Sequence, residues 1–242
     1  NVRALAAALV AGRRWDLVFN VAEGLYGRSR EAQVPALLEA FGQPYCFSDP
    51  LTQAATLDKA VAKRLVRDVG LPTAPFAVIE TDADAWAARL PFPAFVKPIA
   101  EGTGKGCERA SMVRDAEGLV QAAAGLRARF AQPALAEAYL PGREFTVGVL
   151  GEGADASAIG VLEIALVEAA DDGVYSYDSK EASESRVVYT LVDDREAQEA
   201  AAIAVAAYRA LGCRDAARID LRSDARGVPH FLEANSLAGM HP

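Results

Sequence analysis

The segment from Ala217 to Asn235 constrains the fold most tightly. Ala-Arg-Ile-Asp-Leu-Arg and Pro-His-Phe-Leu-Glu-Ala-Asn are two apolar-polar segments joined by Ser-Asp-Ala-Arg-Gly. Their period of two predicts strands, and Gly227 supplies the positive φ that a tight turn needs. Residues two apart in a strand share a face, so Glu233 and Asn235 point the same way, as do Arg218 and Asp220. If the strands pair, Asp220 joins Glu233, thirteen residues further on. Two carboxylates and an amide oxygen are hard ligands suited to Mg²⁺, which also takes phosphate oxygens and waters. Converging acids in a sheet are costly without a cation. Arg218, on the face of Asp220, is suited to stabilising charge on a transferred phosphoryl group. The plainer alternative is a solvated acidic face. The apolar setting of Glu233 in Pro-His-Phe-Leu-Glu-Ala-Asn favours the metal reading.

Composition sets the outer bounds. The chain has 242 residues, enough for one large domain or two small ones, and 52% hydrophobic residues, enough for a core. A net charge of −8 argues against a nucleic-acid partner. Cys46, Cys107 and Cys213 lie far apart and suit a reducing cytosol better than a disulfide framework, so a cytoplasmic location is expected. With His230 and His241 the only histidines, a His-based zinc site or a Ser-His-Asp triad is not expected. No stretch is long and apolar enough to span a bilayer, so no membrane partner is expected. The first residues read as a helix, a turn at Gly12 and a strand, and both ends of the chain look truncated.

The chain reads as α/β. Trp-Asp-Leu-Val-Phe-Asn-Val, residues 15–21, is expected to be a buried parallel strand. A helix follows from about Val34 and closes at Gly42, giving residues 1–50 the look of the remnant of a doubly wound unit. Further helices are expected over 58–69, 82–88, 115–130 and 194–212, and strands at Phe-Ala-Val-Ile-Glu, Ala-Phe-Val-Lys-Pro, Ser-Met-Val and residues 156–166. Ala-Leu-Ala-Glu-Ala-Tyr-Leu and Glu-Phe-Thr-Val-Gly-Val-Leu-Gly read as strands about a Pro-Gly turn. Residues 168–189 are polar and irregular.

Two more constellations carry chemistry. Lys97 ends a strand and is followed by Glu101, Gly102, Thr103, Gly104, Lys105 and Gly106. Such glycines let backbone N–H groups close on a phosphate, although the order is not that of a P-loop. A flexible hairpin with a solvated lysine explains the same residues equally well. Glu137, Tyr139, Leu140 and Glu144 offer an apolar slot and ribose acceptors, or simply a hairpin with surface acids. Lys59, opening a helix, and Lys180, in a charged loop, are either phosphate ligands or solvated lysines.

Taken in order, these motifs resemble the D-alanine–D-alanine ligase family of the ATP-grasp superfamily. The matching stretches include EGLYG, LLEAFGQPYCFSDPLTQAATLDKAVAKRLVRDVGLPTAPF, FVKPIAEGTGKG, AEAYLPGREFTVGVLG, YSYDSKE, YRALGCRDAARIDLR and FLEANSLAGMHP, nearly the whole chain. The resemblance implies an N-terminal parallel α/β unit followed by two mainly antiparallel sheets that sandwich ATP. Residues 51–242 then form the ATP-grasp domain, with 76–140 clamping the nucleotide and 141–242 binding metal. It implies that Lys59, Lys97 and Lys180 meet the ATP phosphates, with Glu101, Gly102, Thr103 and Gly104 closing over them. Glu137, Tyr139, Leu140 and Glu144 would hold the adenosine. Asp220, Glu233 and Asn235 would bind two Mg²⁺ ions, with Mn²⁺ as the alternative. Arg218, Lys180 and Thr103 would be catalytic, and Glu23, Tyr26, Arg28 and Gly239 would lie near substrate. The implied reaction joins a carboxylate to an amine through an acyl phosphate, with amino acids or peptides as substrates. A homodimer through the N-terminal unit is in keeping with the resemblance.

The sequence departs from the family in the loop after Gly27, where Arg28, Ser29 and Arg30 stand in place of acidic residues and a glycine, and at Glu181, in place of a tyrosine. Arg28 and Arg30 suggest bidentate capture of a substrate carboxylate, or a solvated basic loop. Two further readings stand beside the dipeptide ligase: an ATP-grasp enzyme modifying a peptide or natural-product precursor, and a nucleotide-binding regulatory module without turnover.

Overall fold

The computed structural model describes residues 1–102, 104–108, 111–166 and 187–237. The N-terminal part holds helices α1 (Val2–Val10), α2 (Gln33–Ala40), α3 (Pro50–Leu57) and α4 (Lys59–Asp68). A four-stranded sheet follows, built from β1 (Phe76–Ile79), β2 (Ala94–Pro98), β3 (Met112–Val113) and β4 (Ala134–Ala138) in the order β1-β4-β2-β3. Helices α5 (Asp82–Ala87) and α6 (Ala116–Phe130) cover it. The second sheet runs β7-β6-β5-β8-β9, from β5 (Glu144–Leu150), β6 (Ser157–Leu166), β7 (Val187–Val192), β8 (Ala216–Ser223) and β9 (Pro229–Asn235). Helix α7 (Arg195–Ala210) packs on one face of it. All strand pairs in both sheets are antiparallel.

Local chemistry sets the helix starts. Asp58 accepts from the Ala60 and Val61 N–H groups at the head of α4, Asp115 from Gly118 and Asp194 from Glu196 and Ala197. Thr81 and Asp84 form a reciprocal capping box on α5. Helix α3 is absent from the sequence expectation, although Asp49 caps it and Pro50 opens it.

The large sheet divides core from site by alternation. Phe145, Val147 and Val149 of β5 and Ala217, Ile219 and Leu221 of β8 are buried in the α7 core. Glu144, Thr146, Arg218, Asp220 and Arg222 face the other way, towards a cavity. On β9 the register shifts: Asp220 pairs with Glu233, but Leu221 pairs with Phe231, leaving Leu232 as the extra residue of a bulge. Without that bulge Glu233 would follow Phe231 into the core. With it, Phe231 is fully buried while Leu232 and Glu233 both line the cavity.

Two strand expectations are corrected. Residues 15–21 do not form a buried strand. Val18 makes one isolated parallel bridge, to Tyr45, and Leu17, Phe19 and Val21 are 57%, 54% and 60% exposed. A single neighbour supplies too little cover to bury both faces. The Pro-Gly turn does not make a hairpin either. β4 and β5 lie in different sheets, so residues 139–143 are the link between them.

Candidate active site

A cavity of about 560 Å³ opens between the sheets. Its apolar walls include Phe95, Tyr139, Leu140, Leu162, Ile164 and Leu232. Its charged wall gathers Lys59, Lys97, Glu101, Glu137, Arg218, Asp220 and Glu233. An apolar slot beside convergent charges is the form of a nucleotide site.

Lys97 projects from the end of β2, with its ammonium 2.6 Å from Glu137 Oε1. Lys59 opens α4, donates to the Glu101 carbonyl at 2.5 Å and lies 3.2 Å from Glu233 Oε2. Both lysines are buried at 8% exposure, where a charge is well shielded from water. Burial disfavours the Lys97 ammonium, but Glu137 and Glu233 outweigh it and hold the group above the ordinary lysine value. Burial likewise opposes the Glu137 carboxylate, yet Lys63 and Lys97 bring it down to about 2. Glu233 is also depressed to about 2, with Lys59 and Lys97 overcoming its burial.

Arg218 grips Asp220 in a fork, Nε to Oδ1 at 2.9 Å and Nη2 to Oδ2 at 3.0 Å. Asp220 raises the guanidinium further above its ordinary value. Thr146 donates to Asp220 Oδ1 at 2.6 Å, and the Asn235 amide N–H to Oδ2 at 3.0 Å. Asn235 therefore reaches the site through Asp220, with its amide oxygen a separate donor for a cation. No cluster of three or more acidic, histidine or cysteine side chains suited to a metal occurs among the described residues. Two carboxylates and one amide oxygen still suit Mg²⁺, which draws its other ligands from phosphate and water.

The loop after Lys97 turns at Gly104 and Gly106, with φ of +73° and +76°. A Cβ on Gly106 would meet Pro98 Cγ at 2.6 Å and Phe130 Cε2 at 2.9 Å, so the close packing there requires glycine. Glu101 and Gly104 line the cavity, and Gln132 donates to Glu101 Oε1 at 2.7 Å. Gly102 is next to them in the chain.

Several expected residues stand elsewhere. Glu23, Tyr26 and Arg28 do not line the cavity, and Tyr26 is 81% exposed. Arg28 pairs with Asp58 at 2.7 Å. Arg30 donates to the Ala100 carbonyl at 2.8 Å and lies 3.8 Å from Glu101. Both arginines are engaged by the protein itself, which counts against a role in capturing substrate carboxylate. Thr103, Lys180 and Gly239 lie outside the described residues. Glu137 does line the cavity, with Lys63 and Lys97 against its carboxylate.

Sequence reading missed three participants. Thr146 supports Asp220. Arg222 binds the Tyr139 hydroxyl at 2.9 Å and Glu144 at 3.2 Å. Lys63 meets Glu137 at 2.8 Å. Spacing carried a signal for each: Thr146 follows Glu144 and Arg222 follows Asp220 by two residues on one strand face, and Lys63 follows Lys59 by four on one helix face.

Comparison with known proteins agrees with this geometry. Residues 65–242 match the family model described as D-ala D-ala ligase C-terminus. The chain is 39% identical to a D-alanine–D-alanine ligase of Bordetella petrii, across 98% of this chain and 71% of that protein. It is 35% identical to one from Cupriavidus necator, across 97% and 70%. Among solved structures, the VanG D-Ala:D-Ser ligase of Enterococcus faecalis aligns with a TM-score of 0.75 and 25% identity, over 93% of this chain and 64% of that one. The D-alanine–D-alanine ligase of Bacillus anthracis complexed with ATP aligns at 0.73 and 23%, over 98% and 74%, a likeness of fold. The two-sheet arrangement is the ATP-grasp fold, and the chain belongs to the D-alanine–D-alanine ligase family.

Proposed function

We propose that this chain is an ATP-dependent carboxylate–amine ligase that joins two amino acids through an acyl phosphate. The observation that carries the reading is the meeting of Lys59, Lys97, Arg218, Asp220 and Glu233 on one cavity beside an apolar slot. ATP lies with its base against Tyr139, Leu140 and Leu232 and its ribose towards Glu144. Its phosphates meet Lys59 and Lys97. Roles for Thr103, Lys180 and Gly239 rest on the family motif alone. Asp220, Glu233 and Asn235 would hold Mg²⁺, which supplies charge neutralisation at the phosphate oxygens.

The carboxylate of the first amino acid attacks the γ-phosphorus. A C–O–P linkage forms as the bridging P–O bond to ADP breaks. The amine of the second amino acid then attacks the carbonyl carbon, loses a proton and expels inorganic phosphate, leaving an amide. Arg218 neutralises charge on the transferred phosphoryl group, fixed in place by its fork on Asp220. Holding both amino acids beside the nucleotide replaces effective concentrations of up to roughly 10⁵–10⁸ M.

We take residues 1–50 as the end of an N-terminal α/β unit, 51–242 as the ATP-grasp domain, 76–140 as its nucleotide clamp and 141–242 as its metal-binding part. No helix among the described residues is long and apolar enough to cross a membrane. The cytoplasm, with its ATP, is the compartment we assign, and a homodimer the assembly. D-Alanine is the first substrate to try, because the relatives named above are D-alanine ligases.

The test is phosphate release by the protein with Mg·ATP against D- and L-amino acids and short peptides. Release that requires both a free carboxylate and an amine supports the ligase. ATP binding without release on any substrate would favour the regulatory module instead.

A further inference from the structure

We infer that Lys63, which does not line the cavity, is a positioning residue: it neutralises Glu137 from behind and so leaves the charge of Lys97 directed at the ATP phosphates. The inference rests on the proposed binding of ATP in this cavity.

Lys63 is fully buried on α4. Its ammonium donates to Thr73 Oγ1 at 2.9 Å and to the Phe231 carbonyl at 3.2 Å, and lies 2.8 Å from Glu137 Oε2. Three contacts use the three directions of an ammonium and fix it between α4, the segment before β1, and β9. Glu137 is 4% exposed, with Lys97 against its other oxygen at 2.6 Å. Lys63 is thus the cation that stands against Oε2, as Lys97 stands against Oε1.

The count of charges decides the function. Lys63 and Lys97 against Glu137 leave one positive charge at the floor of the cavity. Lys97 and Glu137 line it and Lys63 stands behind them. Without Lys63, Glu137 cancels Lys97, and the floor of the cavity loses its net positive charge. In a low-dielectric site that loss is felt strongly at the few ångströms involved. Burial does lower Lys63 from the ordinary lysine value, with Glu137 pulling against it. The Glu137 carboxylate 2.8 Å away favours the charged form.

The experiment compares ATP with adenosine, which fits the same slot but carries no phosphate. Lys63→Gln keeps a donor for Thr73 and Phe231 and removes the charge. Expected is a loss of ATP affinity of at least about tenfold, equal to 1.4 kcal/mol, with adenosine inhibition changed by less than about twofold. Equal weakening of both ligands would reveal a merely structural lysine and overturn the inference, as would no change in either. Should Lys63→Gln not fold, the double variant Lys63→Gln/Glu137→Gln removes both charges of this pair together. Its ratio of adenosine to ATP dissociation constants should stay near the wild-type value, since Lys97 again acts unopposed. A collapsed ratio there would overturn the role of Glu137. A wild-type chain that bound no ATP would defeat the ligase reading itself, a different failure from an unaltered variant.

Discussion

Asp220 and Glu233 are cross-strand partners on β8 and β9, and each already holds a cation, Arg218 at 2.9 Å and Lys59 at 3.2 Å. The two acids are thus prevented from repelling one another by the groups proposed to meet the phosphates. Neutralising either acid removes a proposed metal ligand and releases its cation. Asp220→Asn and Glu233→Gln are each expected to lower turnover by about 10²–10³-fold, the scale of losing one preorganised electrostatic group. ADP release measured across a Mg²⁺ titration checks this. A variant with wild-type turnover and an unchanged Mg²⁺ midpoint would remove that acid from the metal site.

Arg218 is expected to act on the rate more than on nucleotide binding. Its guanidinium is held by Asp220 in a planar fork that lysine cannot reproduce. Arg218→Lys should therefore fall in kcat nearly as far as Arg218→Ala, by about 10²-fold or more, with the ATP KM moving only a few-fold. Steady-state kinetics with varied ATP decide it. A large rise in KM at constant kcat would make Arg218 a ground-state ATP ligand.

Much of the site was legible in the sequence because its residues sit at fixed points of regular strands. Lys97 at the end of Ala-Phe-Val-Lys-Pro and the pair Arg218 and Asp220 follow from period-two alternation alone. Glu233 shares a face with Asn235, as its spacing implies, but the same rule places Phe231 there too. The bulge at Leu232 sends Phe231 into the core, and no residue type announces it. Arg28 and Arg30 show a different limit of the sequence. Two arginines in a glycine-rich loop advertise an anion site, whereas Asp58, Ala100 and Glu101, distant in sequence, already engage them. The separate sheets of β4 and β5 depend on tertiary partners, which a short Pro-Gly link does not specify.

Arg28→Ala is accordingly expected to spare substrate binding. The side chain is 78% exposed, and its pairing with Asp58 is worth about 1 kcal/mol or less. Asp58 itself is 3% exposed and also caps α4, so Asp58→Ala should cost more, about 1–2 kcal/mol. Urea unfolding gives both values and amino-acid KM values give the rest. A raised KM for one amino acid in Arg28→Ala would restore the arginine as a substrate contact.

Glu31 sets a pH dependence with a definite sign. Burial pushes its carboxyl up to about 7 from an ordinary 4.5, with Arg30 opposing the shift. Below about pH 4.5 the folded and unfolded chains both keep the proton, and the group adds no slope. Between about 4.5 and 7 the unfolded chain releases it while the folded chain retains it, so stability falls as pH rises. Above about pH 7 both forms are ionised and the penalty is constant. Glu31→Gln removes this term. Its stability advantage over the wild type should be larger at pH 8 than at pH 4.5, read from urea midpoints in matched buffers. An advantage equal at the two pH values would show that Glu31 ionises alike in both states, and that its burial beside Glu23 and Glu101 carries no titration penalty.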